Sequence, residues 1–305
     1  YNQQCKKPEE TKAAMRDVHK DLVDRGFMTP LKSLPESVQK GIVKAPVRHY
    51  HPWRAVHKDD STTTPVRLVV DASMTKLNNI LAKGENRISR ANEIIVRNRL
   101  KRYAFSTDIT KMYNTLFLEE SALPYSLFLY HPSMSEDEPP EVYVMLVAWY
   151  GVTSTGGQAG YAIEKIVEDK GKLYPEAVDA LLHDRYVDDI YSGSDTEEER
   201  DNQIQQIEEL LSFGGFKLKY VIRSGQTPPD KATVDGRSVK VLGYGWNTMD
   251  DFMFPSVGEI NFNRKIRGSK KPNVTPIETV EDLRHLLETI VLTKRTIASK
   301  LAELY

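Results

Sequence analysis

The segment Tyr186-Val187-Asp188-Asp189 constrains this chain more than any other. Two adjacent acids stand between the apolar pairs Leu181-Leu182 and Ile190-Tyr191, with Gly193 close behind. The pattern predicts a tight β-hairpin with a carboxylate pair at its turn. Such a pair in a buried hairpin is costly, because like charges repel and desolvation opposes both. A divalent metal would relieve that cost. About eighty residues upstream, Asp108 lies in a second candidate strand over 103–109. Three carboxylates from two adjacent strands can hold two Mg²⁺ ions for phosphoryl transfer. An acidic pair in a turn is usually solvated surface, so the assignment depends on the other motifs and their order.

The chain has 305 residues, 40% of them hydrophobic, enough for a sizeable core and for two or three subdomains. Its net charge of −1 gives no global sign of nucleic-acid binding, so any basic surface must be local. Cys5 is the only cysteine, which excludes an internal disulfide framework and a cysteine-based zinc site and fits a reducing compartment. No apolar run approaches a membrane span, and no signal peptide precedes the first helix. The sequence starts without Met and stops in a helical-looking stretch, and reads as an excised piece of a longer polypeptide.

Apolar periodicity predicts helices over 9–25, 92–102, 153–170, 175–182, 195–211 and 279–305. The first places Met15, Val18, Leu22 and Val23 on one face, and the second turns Ile94, Ile95 and Leu100 inward. Strands are predicted over 64–72, 103–109, 125–130, 142–147, 216–222 and 239–242. The Pro- and His-rich stretch 46–65 reads as extended chain and loops; His49, His51 and His57 have no partner set for zinc. The order is not a regular βαβ alternation and predicts an α+β fold, a small antiparallel sheet backed by helices.

Taken together, these residues resemble a reverse transcriptase, and more narrowly the reverse transcriptases of BEL/Pao-like long-terminal-repeat retrotransposons. The resemblance runs through His51-Pro52-Trp53-Arg54-Ala55-Val56-His57-Lys58 and Arg67-Leu68-Val69-Val70-Asp71-Ala72-Ser73. It continues through Asp108, Ile109 and Tyr113, then Tyr150-Gly151-Val152-Thr153-Ser154 and the Asp188-Asp189 hairpin. Gly214-Gly215-Phe216-Lys217-Leu218, Val241-Leu242-Gly243-Tyr244-Gly245-Trp246 and Thr293-Lys294-Arg295-Thr296 complete the set. Each motif alone is weak; the ordered set is specific and covers nearly the whole chain.

The resemblance implies a right-hand polymerase with an antiparallel palm sheet. Fingers would span 1–79 and 125–149, palm 80–124 and 150–255, and the start of a thumb 256–305. The implied activity is RNA-directed DNA synthesis from a primer, on an RNA or DNA template, using dNTPs and two Mg²⁺ ions or Mn²⁺. The catalytic residues would be Asp108, Asp188 and Asp189. Asp108 and Asp188 would each contact both metals, with the carbonyl of Ile109 as an extra ligand and Asp189 in support. Tyr113 would sit under the sugar and exclude a 2′-hydroxyl. Arg67, and less directly Lys58, would bind the triphosphate, while Tyr150 and Gly151 would receive the nucleotide. Leu242, Gly243 and Tyr244 would form a primer grip. Lys217 or Lys219 would serve as general acid, a choice the sequence leaves open.

The basic runs 97–102 and 264–271 could each track phosphates or simply be solvated faces. The resemblance implies the remainder of a retroelement polyprotein as partner, with protease, RNase H and integrase regions. It also implies a cytoplasmic setting within retroelement particles, with no membrane partner. The rival reading is a domesticated, non-polymerising nucleic-acid-binding domain. Loss of Asp108, Asp188 or Asp189 would favour that rival, and all three are present. An RNA-synthesising polymerase of the same shape is disfavoured by Tyr113.

Overall fold

The computed structural model describes residues 1–57, 66–233 and 236–255. Contacts divide the chain into Tyr1–Ser256 and Val257–Tyr305. The second unit lies outside the described residues, and with it the helix expected over 279–305, the basic run 264–271 and the expected start of a thumb. The first unit is α+β, with several small antiparallel sheets. Among the described residues no helix is long and apolar enough to cross a membrane.

The chain opens with α1 (Asn2–Cys5) and α2 (Glu9–Asp24). Helix α2 buries Met15, His19 and Leu22, at spacings that place them on one stripe. Val23, expected inward, is exposed, because it lies a quarter-turn off that stripe. Then come β1 (Met28–Pro30), α3 (Glu36–Lys44), β2 (Trp53–His57) and β3 (Val66–Val70). Strands β2 and β3 pair antiparallel, so the stretch expected to be extended chain and loops contains one arm of a hairpin.

After α4 (Leu77–Ile80), α5 (Ala91–Arg99) buries Ile94 and Asn98. Leu100, expected inward, is 76% exposed, because the helix ends one residue earlier. Strand β4 (Tyr103–Asp108) follows, then the hairpin of β5 (Leu127–Tyr130) and β6 (Glu141–Met145), which β1 extends to three strands. Rings from Trp53, Phe128, Tyr130, Tyr143 and Trp149 fill the space between this sheet, the β2–β3 pair and α2.

Helices α6 (Thr155–Lys170) and α7 (Pro175–His183) lead to β7 (Arg185–Tyr186) and β8 (Asp189–Ser194). Leu181 and Leu182 belong to α7, where the helix expected over 175–182 places them. Helix α8 (Glu197–Ser212) starts with a capping box, in which Thr196 and Glu199 satisfy each other's backbone N–H groups. Its buried residues include Ile204, Ile207, Leu210 and Leu211, as the periodicity predicts.

Over 216–222 the regular strand shrinks to β9 (Ile222–Arg223), preceded by a single bridge from Leu218 to Ile109. The last sheet is β10 (Ser238–Val241), β11 (Tyr244–Asn247) and β12 (Phe252–Pro255). Its β11–β12 corner is tied to α5. Arg99 donates to both carboxylate oxygens of Asp251, at 2.7 and 3.0 Å, and to its carbonyl at 2.7 Å, while the Trp246 indole donates to the same carboxylate at 2.8 Å.

The central sheet runs β7-β8-β4-β9. On one side Phe105 and Ile190 meet Ile163 of α6, Leu181 of α7 and Ile207 of α8, all fully buried. On the other, Ala104 and Tyr191 meet Ile94, Val239 and Trp246. Truncating a side chain as enclosed as Phe105 would cost about 3–5 kcal/mol. This double cover fixes the ends of β4 and β8, where the acidic residues lie.

Candidate functional site

Strands β4 and β8 pair in a register that sets Asp108 directly opposite Asp189. Cross-strand neighbours have Cβ atoms about 5 Å apart, and like charges there repel. Tyr186 pairs with Asp189, so Val187 and Asp188 alone make the turn; the acidic pair is split between the turn and the first residue of β8. Val187 has φ +58°, a costly conformation for a β-branched residue. Three things hold it. Its side chain packs on the core beneath the sheet. Its carbonyl accepts a 2.8 Å hydrogen bond from Arg185. The Ile109 N–H donates to the Asp188 carbonyl at 2.8 Å.

The electrostatics match this geometry. Burial, then the neighbouring Asp188 and Asp108, push the Asp189 carboxyl up to about 7. The Tyr191 hydroxyl, itself pushed up by burial and by Asp189, donates to Asp189 and offsets part of this. Lys219 helps from the other side, with Nζ 3.5 Å from Oδ2 of Asp108. Its N–H also donates to the Asp108 carbonyl at 2.9 Å. Lys217 contributes its carbonyl to Thr110 at 2.8 Å. Of the two lysines, Lys219 lines the cleft.

A cleft of about 560 Å³ opens at this end of the sheet, lined by Asp108, Ile109, Lys111, Tyr150, Asp188 and Lys219 among others. Tyr113 stands beside it, 5.0 Å from Tyr150 between ring centroids, its hydroxyl raised by burial and by Asp188. The structure thus brings together Asp108, Ile109, Asp188, Asp189, Tyr113 and Tyr150. Gly151 is there too, but for an internal reason. It has φ +105°, and a Cβ would stand 2.1 Å from the Val70 carbonyl, so the close approach demanding glycine is to β3.

Other expected residues fall elsewhere. Lys58 lies outside the described residues; of Arg67 only the backbone is described, paired with Val56 across β2–β3. Leu242 and Gly243 form the two-residue turn between β10 and β11, both with positive φ, as hairpin turns of this length favour. Neither they nor Tyr244 line the cleft. In the basic run 97–102, Arg97 is tied to Asp179 and Asp184, Arg99 to Asp251, and Lys101 to Asp195. Those three side chains brace the fold, which argues against a phosphate track.

Two contributors escape sequence reasoning. Arg185 is 5% exposed, with burial lowering its pKa, and buttresses the turn from below. Its signal was an arginine three residues before the acidic pair. Helix α2 supplies Asp17, Asp21 and Arg25 to the far wall of the cleft, and no local pattern announces that.

Asp108 and Asp188 line the cleft, whereas Asp189 turns toward Tyr191. Among the described residues no three or more His, Cys, Asp or Glu side chains form a metal-binding group. The donors present are a carboxylate pair with the Ile109 backbone, hard oxygen ligands of the kind Mg²⁺ takes when substrate and water complete its shell. The Asp189 carboxyl is raised first by burial and then by Asp188 and Asp108, and a divalent cation would offset the carboxylates' share. No protein-family model matches this sequence, and no curated protein matches it.

Proposed function

We propose that this chain is the polymerase domain of a BEL/Pao-like reverse transcriptase, a right-hand fold extending a primer with dNTPs on an RNA or DNA template. One observation carries the reading: a strained hairpin presents Asp188 beside Asp108 at the end of a doubly covered antiparallel sheet, in one cleft with Tyr150 and next to Tyr113.

In this reading Asp108 and Asp188 would hold two divalent ions, which when bound would acidify a primer 3′-hydroxyl and neutralise the phosphates. Asp189, buried against Tyr191, sets the charge of the pair from behind. The Tyr113 ring, backed by Tyr150, presses on the sugar so that a 2′-hydroxyl would lose its hydration without a partner. Lys219 is placed to donate a proton or a hydrogen bond to departing pyrophosphate.

The test is primer extension on an RNA template, with dNTPs and rNTPs compared. The protein should add dNTPs in Mg²⁺ or Mn²⁺, and failure with both ions would overturn the proposal. Tyr113→Ala should lower the preference for dNTPs over rNTPs by roughly tenfold or more, equivalent to about 1.4 kcal/mol of discrimination. An unchanged ratio would make Tyr113 a packing residue only.

A further inference from the structure

Lys111 occupies the loop between Asp108 and Tyr113, with φ +47°, a left-handed conformation uncommon for lysine. Its side chain is 30% exposed and reaches across the cleft to α2, where Nζ lies 2.6 Å from Oδ2 of Asp21. Asp21 also accepts from Nε of Arg25 at 2.7 Å. Lys111, Asp21 and Arg25 all line the same cleft as Asp108 and Asp188.

The charge inventory of this cleft is unusual for a site meant to receive a polyanion. Asp17, Asp21, Asp108 and Asp188 outnumber Arg25, Lys111 and Lys219. Lys111 is held by Asp21, and Lys219 stands beside Asp108. A triphosphate entering this arrangement would meet net negative charge and two lysines already engaged. The Asp21–Lys111 pair is also a weak restraint. Both side chains are partly exposed, and pairs in contact with solvent contribute little to stability. Helix α2 itself is held by Met15, His19 and Leu22 buried in the aromatic layer, so it need not leave for the pair to part.

We propose that Lys111 is a phosphate-binding residue of this cleft and that Asp21 holds it in reserve. A polyphosphate carries several charges where Asp21 carries one, so it outcompetes the carboxylate for the ammonium group. The lysine sits three residues after Asp108, in the loop that leaves the strand end, so the exchanged partner lies beside the reacting centre. The identity of the anion as a nucleoside triphosphate rests on the polymerase reading; the exchange itself does not.

The experiment measures binding of magnesium tripolyphosphate, without template or primer, to the full chain and its variants by calorimetry. Asp21→Asn removes the competitor and should tighten binding by about tenfold. Lys111→Gln should weaken it by at least as much and cancel the gain when combined with Asp21→Asn, whereas Lys111→Arg should retain it. Unchanged affinity in Asp21→Asn, or full affinity in the double variant, would overturn the proposal. Thermal melts of each variant separate loss of fold from loss of binding, and Lys111→Arg provides the folded, charge-conserving reference. Primer extension by the unmodified chain is scored separately. Lys111-dependent binding without extension would leave the exchange standing and remove the polymerase reading; extension with Asp21-independent binding would do the reverse.

Discussion

Two regions of the molecule each bury an ionisable side chain and resolve it in opposite ways. In the aromatic layer, His19 is 1% exposed, stacked 3.6 Å from the Tyr130 ring and 4.7 Å from Trp53, and neither ring nitrogen has a hydrogen-bond partner. Burial alone pulls its pKa down to about 3, so it is neutral, and the region behaves as an apolar core. At the end of the central sheet, Asp189 is pushed up to about 7, and two of the causes are other carboxylates. A histidine with no charged partner is a packing choice. An aspartate opposed by Asp108 in register and adjacent to Asp188 in sequence makes the fold less stable, a cost that the cations of the proposed function would offset.

The sharpest way to break this comparison is to neutralise the acids. Asp108→Asn and Asp188→Asn should each cut primer extension on the order of a thousandfold while leaving thermal stability unchanged or raised. Activity within about tenfold of the unmodified protein in either variant would remove these acids from the chemistry.

Asp189→Asn should stabilise the protein with divalent ions chelated, by roughly 4 kcal/mol at pH 8. The folded pKa lies above the ordinary 3.8, so the folded chain binds more protons between 3.8 and about 7. Stability is therefore lost as pH rises through that window, and asparagine escapes the loss. Urea titrations at pH 5 and pH 8 would read it; a variant less stable at pH 8 would show that Asp189 is structural.

His19 carries the opposite slope. Its folded value of about 3 lies below the ordinary 6.5, so the unfolded chain binds more protons in between. Stability should fall by about 2 kcal/mol between pH 7.5 and pH 5 from this residue. His19→Phe should flatten that limb in the same titrations. A slope that persists in the variant would assign it to another group.

The parts of the structure legible in the sequence are those set by local pattern. The spacing of Ile204, Ile207, Leu210 and Leu211 gave α8 its buried face, and the apolar flanks of Asp188 and Asp108 gave two strands that prove to be neighbours. Errors fell where a helix end or a turn decides. Leu100 is exposed because α5 stops at Arg99. What was illegible was set by contacts between distant segments. His19 looked like any helical residue until Trp53 and Tyr130 enclosed it. Arg97 and Arg99 are equally a phosphate track or a solvated face in the sequence, and partners 87 and 152 residues away claim them. Lys111 and Asp21, 90 residues apart, share a cleft that no periodicity encodes.

The Arg99–Asp251 corner has a mechanical meaning. A single guanidinium with three hydrogen bonds to one residue resists both rotation and sliding, as a single-point contact does not. Helix α5 is thereby welded to the β11–β12 turn, and through Asn98, whose amide donates to the Ser192 carbonyl at 2.8 Å, to the middle of β8. Asn98 and Arg99 are neighbours in the last turn of α5, so one end of this helix pins the outer sheet and the strand that begins with Asp189 to a single anchor point.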